Sequence, residues 1–478
     1  MQKLGVCTKG AVRASGSKSH SLSVHKGERS LLHLKQNTCG SLWKANTTNK
    51  PLLLTHRALA TDQTHSIMDR ATMLDKIRGA LWGVLIADSL SMPVHWYYNP
   101  QHIVRDFGEI TTYQAPKATH PSSIMSLSNT GGHGRGGQSG RIIGDVINHG
   151  KHVFWGKNGM HYHQGMKAGE NTLNALCARV VTRGIAANGG YDPKHILHEY
   201  VKFMTTPGSH NDTYAESFHR DFFANYAKGV PPEKCAEGTE GHNTAQIGGF
   251  VMLAPVIMAT LPAEVPERIA WAETDALSRT LTFMHFNPFE TITVGDGHDA
   301  QSAPSIRECT ECKLLDRECT KSSEAHANVL VKEEFLKHAK FAGLLYDVSV
   351  GGAPLKEAAI TTAKSMGVDL EKGLAMHFSD VQAVHGMFGS ACYIDSSFPV
   401  VLYLAAKYPD SFEKAVLANT NAGGENCHRG AALGALMGAA LGESKIPPRL
   451  IQGLHDSSAI RQEIDALCSA LYPEHKEL

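Results

Sequence analysis

No stretch of this 478-residue chain reaches the ~18 consecutive apolar residues that a membrane-spanning helix needs, so no membrane partner is expected. Net charge is missing too. The 46 Lys and Arg offset 46 Asp and Glu, which removes the electrostatic basis for holding nucleic acid. Convincing period-2 alternation is scarce, which leaves helices as the main regular element. Paired cysteines are almost absent. Ten cysteines are scattered along a chain with no secretory signal, a pattern of reduced thiols. Only Cys309, Cys312 and Cys319 cluster, in a polar, charge-rich insertion at about 293–325. With His326 they could make a zinc site, but the usual second pair is absent, and an exposed redox-prone loop is the alternative.

What is present first is an asymmetry. Residues 1–61 hold ten Lys and Arg against a single acid, Glu28, which leaves the remainder at −9. A basic, Ser/Thr-rich, acid-poor start reads as an organelle transit peptide, and would send the protein to a mitochondrion or plastid. The alternatives are a disordered basic tail or a true start at Met68, with a cytoplasmic protein. Residues 1–67 are therefore separated from an expected folded domain over 68–475.

Within that domain the pattern predicts helices at 73–90, 170–185, 194–205, 212–228, 244–261, 264–284, 326–346, 354–366, 379–391, 396–407, 410–419, 430–442 and 447–453. An all-α, single-domain fold follows. Glycine recurs at 430, 434, 438 and 442 along one narrow stripe of the 430–442 helix, where another backbone can come close. Gly79, Gly83 and Ala87 make a similar stripe on the first helix. Each helical glycine costs ~1 kcal/mol relative to alanine, so the repeats need a packing reason. The run Asn129 to Gly137 is too glycine-rich for a regular element and reads as a long mobile loop or lid. It lacks the lysine and following helix of a phosphate-binding P-loop.

The stretch Asn421-Ala422-Gly423-Gly424-Glu425-Asn426-Cys427-His428 is a glycine-loosened loop, loaded with possible ligands, at the mouth of the 430–442 helix. Free N–H groups there favour anions. This loop and helix resemble the last motif of the ADP-ribosylglycohydrolase family, which includes the jellyfish J1 crystallins and usually writes it Asn-x-Gly-Gly-Asp-Thr-Asp-Thr. Gly79-Ala80-Leu81-Trp82-Gly83 through Ala87-Asp88-Ser89-Leu90-Ser91-Met92-Pro93-Val94 resembles the family's first motif. Gly169-Glu170-Asn171-Thr172 stands where the family has Thr-Asp-Asp-Thr. The resemblance covers roughly residues 70–460.

The resemblance implies a compact orthogonal helical bundle and hydrolysis of an ADP-ribosyl or related N- or O-glycosidic bond, with an ADP-ribosyl-type small molecule or an ADP-ribosylated protein as partner. It also implies two divalent cations, usually magnesium, held by the two acidic motifs. Carried over by position, the ligands become Glu170, Asn171, Glu425, Cys427 and His428, with Glu170 and Glu425 as catalytic carboxylates. Hard magnesium wants several charged oxygens, whereas Cys427 and His428 favour zinc or iron. Three readings stay open: a magnesium enzyme using Glu170 and Glu425, a rebuilt softer-metal site, or a crystallin-like binding protein without metal. His161, His163, Gly423, Gly424 and Asn426 are the candidate substrate contacts. Asp88 is expected to fix helix packing or support the site.

Overall fold

The two small-residue stripes meet. A Cβ placed on Gly83 or Gly434 would fall well under 3.0 Å from the other's carbonyl oxygen, and Gly79 and Gly438 face each other in the same way. Glycine here lets two helix backbones touch. The structure, a computed structural model, describes residues 68–123, 125, 142–236, 246–261, 337, 338 and 340–473. The basic extension, the loop at 129–137, the expected helix at 264–284 and the cysteine cluster with His326 lie outside these residues.

In chain order the described α-helices are α1 (Arg70–Ser91), α2 (Pro100–Phe107), α3 (Leu173–Asn188), α4 (Pro193–Thr205), α5 (Ser217–Ala227) and α6 (Gly248–Thr260). They continue with α7 (340–349), α8 (Leu355–Ser365), α9 (Leu370–Ala375), α10 (Ile394–Lys407), α11 (Phe412–Ala422), α12 (Asn426–Leu441), α13 (Pro448–Gln452) and α14 (Ser457–Leu471). No strand occurs among the described residues, only isolated bridges such as Tyr97 to Gly424. The all-α fold class expected from the sequence is what the chain adopts.

Burial sorts the helices. Residues Gly79–Ser91 of α1, Gly248–Met258 of α6 and Asn426–Ala439 of α12 are buried on every side, so these helices form the centre. Such helices show no amphipathic stripe because each face meets protein. Outer helices such as α2 and α4 bury single faces through Ile103, or through Ile196, Tyr200 and Met204. The last turns of α1 and the first turn of α12 lie side by side, and the site is built there.

Several boundaries differ from the sequence pattern. The glycine-rich helix begins at Asn426 rather than 430, because the Glu425 carboxylate accepts the His428 N–H and caps it. Asn426, Cys427 and His428 are therefore helical rather than loop residues. The helix expected at 212–228 begins only at Ser217, since Asp212 spends its carboxylate on backbone N–H groups of Leu173 and Tyr214. The element expected at 379–391 narrows to π turns over Gln382–Phe388. Three helices had no counterpart in the pattern reading. α2 and α9 are short and capped by Asn99 and Asp369. α14 buries Ile460, Ile464, Leu467 and Cys468 at helical spacing, a signal the sequence does carry.

Candidate active site

Gly423 and Gly424 adopt φ of 72° and 68°, and a Cβ on either would collide with the backbone of Tyr97 or Ser390. The chain is pinned at this crossing. Trp96 N–H donates to Gly424 O at 2.8 Å, Gly424 N–H to Tyr97 O at 2.9 Å, and Glu425 N–H to Ser390 O at 2.9 Å. Beneath it, Arg429 is fully buried and donates to Asn419 Oδ1 and Gly423 O, each at 2.7 Å. Two glycines and a buried guanidinium thus aim Glu425 and His428 into the interior. The two glycines are required by close packing, and their substrate role is not needed to explain them.

From Glu425 a chain of buried titratable groups runs both ways. Its Oε1 lies 3.0 Å from His95 Nε2 and 2.9 Å from His428 Nδ1. His95 Nδ1 then meets His163 Nε2 at 2.7 Å, and His163 Nδ1 meets Asp212 Oδ1 at 2.7 Å. In the other direction His428 Nδ1 lies 3.3 Å from Glu216 Oε1. Glu216 Oε2 accepts from Asn174 at 2.8 Å. Trp96, at φ 62°, stacks on His95 with ring centroids 4.0 Å apart. Glu425 Oε2, Glu216 Oε1 and Asn426 Oδ1 are buried with no hydrogen-bond partner among the described residues. Buried oxygens left open in this way are unusual in folded proteins and mark a place for a ligand.

Burial and close charge set the acidity of these groups. The 2.7 Å contact between the rings of His95 and His163 joins the Glu425 and Asp212 carboxylates into one buried hydrogen-bonded chain. Burial pushes the Glu425 carboxyl up, but His95 and His428 outweigh it and hold it well below the usual range. Asp212 is likewise raised by burial and lowered more by His163. Burial raises Glu216 and Asp88. Burial takes His95 down to about 4, whereas for His428 the carboxylates of Glu216 and Glu425 outweigh burial and raise it to about 10. The Cys427 thiol is pushed well up by burial and stays protonated.

The raised His428 has a measurable consequence. Its stabilising contribution is complete below the unfolded value of ~6.5 and is lost as pH rises through about 10, a swing on the order of several kcal/mol. Urea unfolding at pH 6, 8 and 10 should show a steep alkaline loss in the wild type that His428→Gln lacks. Parallel slopes for the two proteins would contradict the assignment.

The structure brings together Glu425, Asn426, Cys427, His428 and His163 of the sequence-derived candidates. Asn171 is committed nearby, donating to Leu85 O and to Asp88 Oδ2. Asp88 also accepts from Thr172 N–H and Oγ1, so it fixes the entry to α3, the supporting role expected of it. His161 is buried with both ring nitrogens on backbone groups, Pro93 O and His163 N–H. Glu170 takes no part in this chain of contacts: its Oε2 accepts from Lys167 N–H and from Asn211, in a partly exposed turn. Three central residues escaped the sequence reading. His95 directly follows the first motif's Pro-Val, and the motif's end hid it. Asp212 and Glu216 sat inside an expected helix, where acids look like solvated surface.

Two sets of donors have ligand atoms within 4.8 Å of one another and could hold a metal ion: His95, His163 and Cys427, and His95, Glu425 and His428. The described residues thus form an all-helical bundle with a buried carboxylate and imidazole centre at the N-terminus of α12. The chain belongs to the ADP-ribosylglycohydrolase family, whose model matches residues 69–288 and 307–477. Among solved structures it is similar to a chain described as an "ADP-ribosylglycohydrolase-related protein complex", at 19% identity and a TM-score of 0.46, over 84% of this chain and 98% of that one. No curated protein matches it.

Proposed function

We propose that the protein hydrolyses an ADP-ribosyl or related N- or O-glycosidic bond, with Glu425 and Glu216 as its working carboxylates. The observation that supports this most is the pair of acids on either side of His428, whose environments drive them apart in acidity. Glycoside hydrolysis needs two carboxyl groups of unlike acidity flanking the bond. Glu216, raised by burial, donates its proton to the leaving group. Glu425 keeps its charge, faces the oxocarbenium-like ribose and takes a proton from the attacking water. Asn426 Oδ1, buried and open, accepts from a ribose hydroxyl. Glu170, by its contacts, braces the 167–170 turn instead.

Donor chemistry bears on the metals that the sequence leaves open. Two magnesium ions would each want about six oxygen ligands in near-octahedral geometry. Here the open oxygens are three, and imidazoles stand among them. The residues do not fit a binuclear magnesium centre, and none of the chemistry above is routed through one. A single zinc or iron on His95, Glu425 and His428 suits the donor types, but only once His428 gives up its proton. The test is release of ADP-ribose from N-linked and O-linked ADP-ribosyl conjugates by the wild-type protein, with Glu425→Gln as control. Absence of release from every conjugate, with binding of ADP-ribose retained, would favour a crystallin-like or ligand-binding role.

A further inference from the structure

We infer that His219 is a positioning residue: through Asn174 it holds one carboxyl oxygen of Glu216 and leaves the other to meet the bond being cleaved. This role rests on the part given to Glu216 in glycosidic cleavage, and it falls to a side chain that does not touch the reacting atoms. Tyr200 Oη lies 2.6 Å from His219 Nδ1, His219 Nε2 lies 2.9 Å from Asn174 Oδ1, and Asn174 Nδ2 donates to Glu216 Oε2 at 2.8 Å. All four residues are at most 4% exposed. Asn174 stands in the first turn of α3, Tyr200 in α4 and His219 in α5, whose N-cap is Glu216. Three helices thus meet through one line of hydrogen bonds.

The line has a direction. An asparagine amide offers an acceptor on one side and donors on the other. With its NH2 group on Glu216, Asn174 turns its carbonyl oxygen to His219 and can only accept there. The ring proton therefore sits on Nε2, and Nδ1 accepts from the Tyr200 hydroxyl. That tautomer selects the amide orientation that gives Glu216 a donor. Oε2 accepts this hydrogen whether or not Oε1 bears a proton. A network that only satisfied buried polar groups would tie both oxygens of Glu216. This one ties Oε2, while Oε1 has no hydrogen-bond partner among the described residues and lies 3.3 Å from the His428 ring that also meets Glu425. Gly248, the first residue of α6, supports the same reading. A Cβ there would fall 2.5 Å from Glu216 Oε2 and 3.0 Å from Asn174 Nδ2. Its φ is not positive, so the backbone does not demand glycine. The room taken by the Asn174 and Glu216 contact does.

Two substitutions in the full-length protein separate positioning from packing. His219→Gln keeps an N–H donor toward Asn174 where Nε2 stood, whereas His219→Phe fills the ring's place without one. On an ADP-ribosyl conjugate that the wild type cleaves, His219→Phe should lose ~10²-fold in kcat with KM little changed, because a misdirected group slows the reaction without weakening binding. His219→Gln should recover about tenfold of that loss. Wild-type kcat in His219→Phe, or equal losses in the two variants, overturns the inference. A second readout does not depend on catalysis. Nitrogen NMR of isotope-labelled histidines, with His219→Gln identifying the signal, should show the wild-type ring proton on Nε2. A proton on Nδ1 alone reverses the line and overturns the inference even with turnover intact. A wild type that cleaves no conjugate removes the proposed function, and the tautomer then decides whether His219 fixes Glu216. Should His219→Phe fail to fold, the tautomer and the kcat of His219→Gln decide.

Discussion

Glu425→Gln should lose at least ~10³-fold in turnover, because the substitution removes the one strongly ionised carboxylate with an open oxygen at the centre of the site. Glu425 Oε1 is held by His95 and by the His428 N–H, while Oε2 is buried and has no partner among the described residues. Glutamine keeps the size and one acceptor, so the helix cap survives. The charge that steadies a developing oxocarbenium ion, and that can take a proton from water, does not. Stability will fall as well. Removing one partner of a buried ion pair costs ~3–5 kcal/mol, here by leaving His428 against Glu216 alone. Turnover must therefore be compared well below the variant's melting midpoint. Activity within tenfold of wild type there would remove Glu425 from the reaction.

Gly434→Ala should destabilise the fold by ~3 kcal/mol or more, against a gain in helix propensity of only ~1 kcal/mol. The added methyl would meet the Gly83 carbonyl and the Ala87 side chain. Backbone cannot rotate away as a side chain can, so α1 and α12 would have to part by roughly 1 Å or more. These helices carry Asp88, Glu425 and His428, so the parting also opens the site. Gly343 in α7 is the matched control. A Cβ there meets nothing within 4 Å, and Gly343→Ala should stabilise by up to ~1 kcal/mol. Chemical denaturation of both variants checks the pair, and equal effects would refute close backbone contact as the reason for the stripe.

That stripe was legible in the sequence because its cost is local and its spacing periodic: helical glycines at 430, 434 and 438 demand a neighbour whatever the rest of the fold does, while Gly442, expected inside the helix, instead closes it at φ 84°. Glu425 and His428 were legible for a similar reason, since the motif position marked them. The character of the site was not. Asp212 and Glu216 reach the cluster only because the chain stays non-helical as far as Glu216, and that start is set by Leu173 and His163, which lie 39 and 49 residues away from Asp212. Likewise Glu170 looked equivalent to Glu425 by residue type. Its carboxylate turns instead to Asn211, a contact that no local pattern encodes.

The most direct test of the account is a crystal structure of the full-length protein with ADP-ribose bound. The account predicts the terminal ribose over the N-terminus of α12, its anomeric carbon facing the carboxylates of Glu216 and Glu425 and a hydroxyl on Asn426 Oδ1, with His428 still between the two acids. ADP-ribose seated away from these residues would contradict it.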